Sequence, residues 1–421
     1  MLGATGAAGL VAATGGYRML TDSAEAATVL PAPGRSGIKH IVVVMMENRS
    51  FDHFVGWTPG ADGKQAGLTY VDRYGVPHDT HHLDVTASTC GFHDPDHSYE
   101  GGRIQLNGGA CDGWLRSGQN DSLSIGYYEQ ADLAFLGSAV PDWTTFDRYF
   151  AAVMAETYPN RFYMHCAQTD RLHNNTAQAT MPTIWDRLRH AGRTGAYYYG
   201  DIPFAYLLGS HRPSTMANVS QFFTDAAAGT LPDVSFVDPQ FVDEEDGTSN
   251  DDHPHADIRA GEYFMNQVYD AVTSSPAWKN TVLVYTYDEW GGFFDHVAPT
   301  KAHDVAAKTA LRGFRVPTMV VSPFARRGHV AHETYDHTSI LKMIEWRWGL
   351  KPLTPRDRYA RNLAHALTFT DKDTSFPSYV VPPFTPVGCS APTALATSGP
   401  EYQEWPALRD LIARQEGALL R

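Results

Sequence analysis

Five short runs of apolar, β-favouring residues alternate with segments of helical period, and that alternation restricts what the chain can fold into. The runs are "HIVVVMM" from residue 40, "TGAYYYG" from 194, "DVSFVDP" from 233, "TVLVYTYDE" from 281 and "VPTMVVSPF" from 316. Between them, "MPTIWDRLRHAG" from 181 carries Pro182 near a helix start and Gly192 at its end. "ADIRAGEYFMNQVYDAVTSS" from 256 sets Ile258, Tyr263 or Phe264, Val268 and Val272 on one helical face, and "HTSILKMIEWRWGL" from 337 stops at Gly349. Strands joined through helices pair in parallel, and a parallel sheet is covered on both faces. The expected class is therefore α/β with a mainly parallel sheet. Ligands of such sheets bind beyond the carboxyl ends of the strands, so the residues just after each run are where chemistry is sought.

Two regions break the alternation. Residues 57–130, rich in Gly, His, Asp and aromatic residues, read as a long insertion over the site, and residues 371–421 as a surface-wrapping extension. With 421 residues, 43% of them hydrophobic, one catalytic domain over 35–421 accommodates both. A formal charge of −14 and the lack of any Lys/Arg run argue against a nucleic-acid binder. No uninterrupted apolar stretch reaches transmembrane length. The first 26 residues are small and apolar, and Ala24-Glu25-Ala26 fits a cleavage site, so they read as a truncated export signal of a secreted or envelope-associated protein. Of the cysteines at 90, 111, 166 and 389, Cys90 and Cys111 are expected to close one loop as a disulfide.

The first run ends in Glu47-Asn48 and the run from 281 ends in Asp288-Glu289. Three carboxylates and an amide oxygen suit a divalent cation, whereas three carboxylates gathered without one would repel. We therefore expect one divalent metal ion, its identity left open among Ca, Mn, Zn and Fe. In "AETYPNRFYMH", Pro159 places Thr157 at or near a helix N-cap, where free N–H groups favour phosphate. Arg161, one turn on, offers a cation to an anionic group. Nineteen histidines is a high number, and His97, His253, His255, His296 and His337 abut acidic residues that would orient them and favour their protonated form.

"ENRSFDHFVG" (47–56), "TYPNR" (157–161), "DEWGGFFDHV" (288–297) and "GFRVPTMVVSP" (313–323) stand in this order, with looser blocks at 94–114 and 251–262. Together they resemble the signature of the bacterial and plant non-specific phospholipase C family, which includes AcpA-type acid phosphatases and belongs to the alkaline-phosphatase-like superfamily. The resemblance implies a three-layer α/β/α sandwich with its site at the strand ends. It implies metal ligation by Glu47, Asn48, Asp288 and Glu289, and Thr157 as a nucleophile that passes through a phosphothreonine. It further implies that Asn48 and the histidines bind the phosphoryl oxygens, with His97, His253 or His296 protonating the leaving alcohol. The expected reaction is phospholipase C-type hydrolysis of a phospholipid, with transient contact at a membrane surface. An acid phosphatase acting on monoesters through the same site is the alternative. "TYPNR" also has the outline of a sulfatase motif, but that chemistry needs Cys or Ser where Thr157 stands. The aromatic run "GAYYYGDIPFAYLLG" (195–209) offers either core or a choline-binding wall.

Overall fold

The computed structural model describes residues 29–87, 89–242, 244, 247–389, 404–416 and 420. The proposed export signal, and residues 390–403 of the extension, lie outside the described residues. Eight strands form the central sheet: β1 (His40–Met46), β2 (Thr144–Phe146), β3 (Gly195–Tyr199), β4 (Thr215–Asn218), β5 (Val234–Val237), β6 (Thr281–Tyr287), β7 (Thr318–Val321) and β8 (His329–Ala331). Their spatial order is β8-β2-β7-β6-β1-β5-β3-β4. The pairings of β1 with β5 and β6, β5 with β3, β3 with β4 and β8 with β2 are parallel, and β7 alone runs against its neighbours. All five apolar runs of the sequence are strands. β2, β4 and β8 escaped a sequence reading because each is only three or four residues long, too short to show a period of two.

Helices cover both faces. Tyr197 and Tyr198 are adjacent on β3 and so point to opposite sides. Tyr197 lies against His165 of the Thr157–Cys166 helix, which also meets Phe236 with ring centroids 4.6 Å apart. Trp185 of the Ile184–His190 helix reaches Phe236 on that same face. Tyr198 donates to Asp225 of the Val219–Ala228 helix at 2.7 Å. Tyr285 donates to the Met265 carbonyl of the Ile258–Thr273 helix at 2.7 Å, on the Tyr198 face. The result is a three-layer α/β/α sandwich.

β1 and β6 sit at the centre, and the side chains from Ile41 to Met46 are buried. Each such residue contributes roughly 1.5–3 kcal/mol by leaving water. This fixes the register of the two strands, so Met46 pairs with Tyr287 and both polar tails emerge at the same end. The aromatic run belongs to the core. Tyr197, Tyr198 and Phe204 are all but fully buried, and no choline-binding wall is formed there.

The disulfide differs from the expectation. Cys90 pairs with Cys389, with Cα atoms 5.8 Å apart, while Cys111 and Cys166 are buried free thiols. Cys111 instead packs with Trp114, Phe294 and Phe314 in a small apolar cluster. The bond ties the insertion to the extension, two segments that are remote in sequence and adjacent in space. The extension from Asp371 to Cys389 carries no regular element but is anchored, Tyr379 donating to Asp142 at 2.8 Å and accepting from Trp143 at 2.9 Å. A last helix, Glu404–Glu416, buries Trp405, Leu408 and Ile412 along one side.

Candidate active site

The site forms where β1 and β6 end. The backbone N–H of Asp288 donates to the Met46 carbonyl at 3.0 Å, continuing the strand pairing by one residue. Asn48 then turns into the left-handed region at φ 53, unusual for a residue with a side chain. Its N–H donates to Asp288 Oδ1 at 3.1 Å, and the Glu289 N–H donates to the same oxygen at 2.7 Å. Gly291 (φ 60) permits this crossing, because a Cβ there would lie 2.1 Å from the Asn48 carbonyl oxygen. Glu47, Asn48, Asp288 and Glu289 are all fully buried.

Thr157 is the first residue of its helix, with Glu156 at the cap position. Its hydroxyl donates to Glu47 Oε2 at 3.1 Å and lies 3.4 Å from Asn48 Oδ1. Thr157 thus joins Glu47 and Asn48 despite standing more than a hundred residues away in sequence. Arg161 does not present itself to an incoming anion as expected. Its Nε and Nη2 bond Glu47 Oε1 at 2.9 and 2.5 Å, Nη1 bonds Asp238 Oδ1 at 3.1 Å, and Nη2 also reaches the Met45 carbonyl at 3.2 Å. The guanidinium is consumed in holding Glu47. Asp238, just past β5, is a strand-end carboxylate that was passed over, although the logic that singled out Asp288 applies to it equally. Tyr197 donates to its other oxygen.

Burial raises the pKa of Glu47 well above the usual carboxylate range; Arg161 opposes this, and Asp288 and Asp251 add to it. Burial likewise raises Glu289, with the His97 side working against it and Asp288 with it. Asp288 Oδ2 and Glu289 Oε1 are buried without a hydrogen-bond partner, as is Asn48 Nδ2. Arg161 Nε lies 3.9 Å from Asp288 Oδ2; buried carboxylate oxygens without a hydrogen bond are costly, and a cation would relieve them. The donors therefore fit a divalent ion, but the quartet is more open than its sequence suggests. Glu47, Asp288 and Glu289 do not bring three ligating atoms within 4.8 Å of one another among the described residues. The carboxylates are turned apart, Glu47 toward Arg161 and Asp288 Oδ1 toward two backbone N–H groups.

Two trios do reach that spacing: Asp94, His97 and His253, and Asp52, Asp295 and His296. In the first, the His97 and His253 rings meet edge to face, 6.0 Å between centroids. Each is pinned through Nδ1 to a backbone carbonyl, Pro95 at 2.9 Å and Pro254 at 3.0 Å. A carbonyl only accepts, so Nδ1 of each ring carries a proton there, which fixes the ring's orientation. Asp94, missed in the sequence, was visible as the first acid of "DPDH". The expectation of charged imidazoles fails at His253: burial, followed by the nearby His97, pushes its pKa well below the ordinary value. Desolvation outweighs the acidic sequence neighbours.

The second trio is an ion network, because Arg315 occupies the place a metal would take. Arg315 bonds Asp52 Oδ1 and Asp295 Oδ1, each at 2.9 Å. His296 has both ring nitrogens engaged there, Nδ1 with Asp52 at 2.5 Å and Nε2 with Asp62 at 3.1 Å. Burial lowers its proton affinity, but the Asp52 hydrogen bond and charge outweigh burial and raise it. His296 is thus held in an ion network with Asp52, Asp62 and Arg315. His337 also proves to be a support, fully buried with Nε2 on the Asp288 carbonyl at 2.6 Å.

A hydroxyl at a helix start, set against oxygen ligands from two parallel strands and flanked by paired histidines, defines a site for transfer of an acidic oxo group such as phosphoryl. The chain belongs to the Phosphoesterase family, whose model matches residues 38–351, and it is a phosphoric ester hydrolase. Non-specific phospholipase C1 of Arabidopsis thaliana is 32% identical over 381 residues, covering 77% of this chain and 69% of that protein. Phospholipase C A of Mycobacterium tuberculosis is 29% identical over 395 residues, covering 76% and 75%. Non-hemolytic phospholipase C of Pseudomonas aeruginosa is 29% identical over 421 residues, covering 82% and 59%. Among solved structures, a protein in the alkaline phosphatase superfamily from Vibrio parahaemolyticus superposes with a TM-score of 0.42 at 11% identity, over 79% of this chain and 71% of that one.

Proposed function

We propose that this chain is a phospholipase C-type phosphodiesterase that cleaves a phospholipid into diacylglycerol and a phosphorylated headgroup through a Thr157 adduct. The observation that carries the reading is the Thr157 hydroxyl held at 3.1 Å from Glu47 beside Asn48, next to the oxygens of Asp288 and Glu289 that lack a hydrogen bond. The names of its relatives point to the same substrate class.

Glu47, Asn48, Asp288 and Glu289 are the residues that would hold a divalent cation. Such an ion would stabilise the Thr157 alkoxide and developing phosphoryl charge. In the first step Thr157 Oγ bonds phosphorus and its proton leaves along the hydrogen bond to Glu47 Oε2. The bond from phosphorus to the diacylglycerol oxygen breaks, and that oxygen takes a proton. His97 is the assigned donor, since it stands beside His253, which burial keeps neutral. Neutral His253, with Nε2 as acceptor, orients the water that next cleaves the phosphothreonine ester. Asn48 Nδ2, a buried donor without a partner, binds a phosphoryl oxygen. Arg161 positions Glu47.

The Cys90–Cys389 bond supports an oxidising, exported location, since such bonds are rare in reducing compartments. No helix of the described residues is long and apolar enough to cross a membrane. The test compares turnover of phosphatidylcholine with that of p-nitrophenyl phosphate at equal enzyme. Faster cleavage of the diester, with phosphocholine as the product, is expected. Faster cleavage of the monoester would instead make the chain a phosphatase.

A further inference from the structure

The Glu404–Glu416 helix lies outside the 38–351 stretch that defines the family, yet it reaches the centre of the site. Arg161 uses its in-plane N–H groups on Glu47, Asp238 and the Met45 carbonyl. What remains of a planar guanidinium is its two faces, which stack on aromatic rings. Phe241 lies 4.7 Å from the Arg161 carbon and Trp405 lies 5.7 Å from it. The two rings are themselves stacked, 4.0 Å between centroids and 2° from parallel. Trp405 also meets Tyr158, the neighbour of Thr157, edge to face at 5.2 Å. Trp405 is 3% exposed and Arg161 2%. The far end of the helix is fastened separately, Arg212 to Glu416 at 2.9 Å and Tyr206 to Gln415 at 2.6 Å.

We propose that Trp405 is a positioning residue of the active site: with Phe241 it closes the Arg161 guanidinium off from water and so fixes Glu47 against the Thr157 hydroxyl. An arginine–carboxylate contact is stronger and stiffer in a dry setting than in a wet one. Removing the indole opens the arginine to water, and Glu47 gains freedom at the atom that faces Thr157. The C-terminal helix is thereby part of the catalytic apparatus and not a surface appendage. This inference rests on the reading of Thr157 and Glu47 given above.

The experiment uses the full chain and three variants, W405A, W405F and L408A, with phosphatidylcholine turnover and thermal melting measured for each. Leu408 is fully buried on the same helix and is absent from the Arg161 cluster, so L408A reports the cost of loosening the helix alone. W405A is expected to lower kcat on the order of tenfold, with KM changed less than about twofold. W405F, which keeps a ring face, recovers most of that loss. L408A lowers the melting temperature and leaves kcat unchanged well below it. Wild-type kcat in W405A, or an equal kcat loss in L408A and W405A, would overturn the positioning role. A wild-type enzyme that cleaves no phosphate ester would instead overturn the reading of the site itself.

Discussion

Thr157 and Arg161 lie one helical turn apart and grip the two oxygens of a single carboxylate, Glu47, the hydroxyl at 3.1 Å from Oε2 and the guanidinium Nε at 2.9 Å from Oε1. The helix therefore delivers both the proposed nucleophile and the group that orients the carboxylate its hydroxyl meets. The i, i+4 spacing in "TYPNR" is the sequence form of this arrangement.

If His97 protonates the leaving oxygen, its loss must scale with how badly the leaving group needs a proton. His97→Ala is expected to slow phosphatidylcholine cleavage on the order of 10²–10⁴-fold. With a p-nitrophenyl phosphodiester, whose leaving group departs as a stable anion, the loss should be much smaller. Equal losses on both substrates would remove His97 as the acid.

Replacing Glu289 should act on cation binding and on the stability of cation-free protein in opposite directions. Chelation is expected to abolish turnover and re-addition of a divalent cation to restore it. Burial raises the pKa of Glu289, so its ionised form costs folding energy when no cation is bound. Glu289→Gln should therefore raise the melting temperature of chelated protein while weakening cation binding, as read by melting and by calorimetric titration. A lower melting temperature in both states would contradict the assignment.

How much of this was legible in the sequence depended on the range of the interaction. β1 and β6 were readable because burial on both faces leaves uninterrupted apolar runs, and their polar tails followed directly. The helix start at Thr157 was readable from Pro159. The partners of Arg161 were hidden because Glu47 and Asp238 reach it from the ends of other strands, and no local signal says so. The partners of His296 were hidden for the same reason, since Asp52 and Arg315 reach the ring from other segments. The charge on His253 could not be read, because depth of burial outweighs neighbouring acids. The Cys90–Cys389 pairing spans 299 residues, and spacing does not encode it. Trp405 carried no signal beyond being a tryptophan near the end of the chain.

Glu262 offers a pH test away from the strand-end site. It is buried, with Oε2 accepting from the Phe135 and Leu136 N–H groups at 2.5 and 2.9 Å and Oε1 without a partner. Burial, with Asp252 adding, pushes its pKa up to about 8. The folded state thus keeps a proton that the unfolded chain loses near 4.5, so this group destabilises the fold increasingly as pH rises from there to about 8. Glu262→Gln should match wild type at pH 5 and exceed it by about 1–3 kcal/mol at pH 8.5 in denaturant titrations. A gain of the same size at both pH values would show that ionisation is not the cause.

The disulfide should matter for the extension more than for the sheet. Cys90→Ser with Cys389→Ser is expected to cost about 2–4 kcal/mol and to expose the 371–389 segment to proteases. Non-reducing peptide mapping of wild type should recover the Cys90 and Cys389 peptides joined. Cys111 and Cys166 should stay unmodified by thiol reagents in the native state, as burial pushes the Cys111 thiol up to about 12. A Cys90–Cys111 peptide would contradict the fold of this region.

The most direct test of the account is acid quenching during turnover of phosphatidylcholine, followed by peptide mass spectrometry. The account predicts a phosphocholine adduct on Thr157 in the wild-type enzyme, absent from Thr157→Ala, which should also lose at least about 10³-fold in turnover while melting like wild type. An unmodified Thr157 with the adduct on another residue, or Thr157→Ala turning over near the wild-type rate, would contradict it.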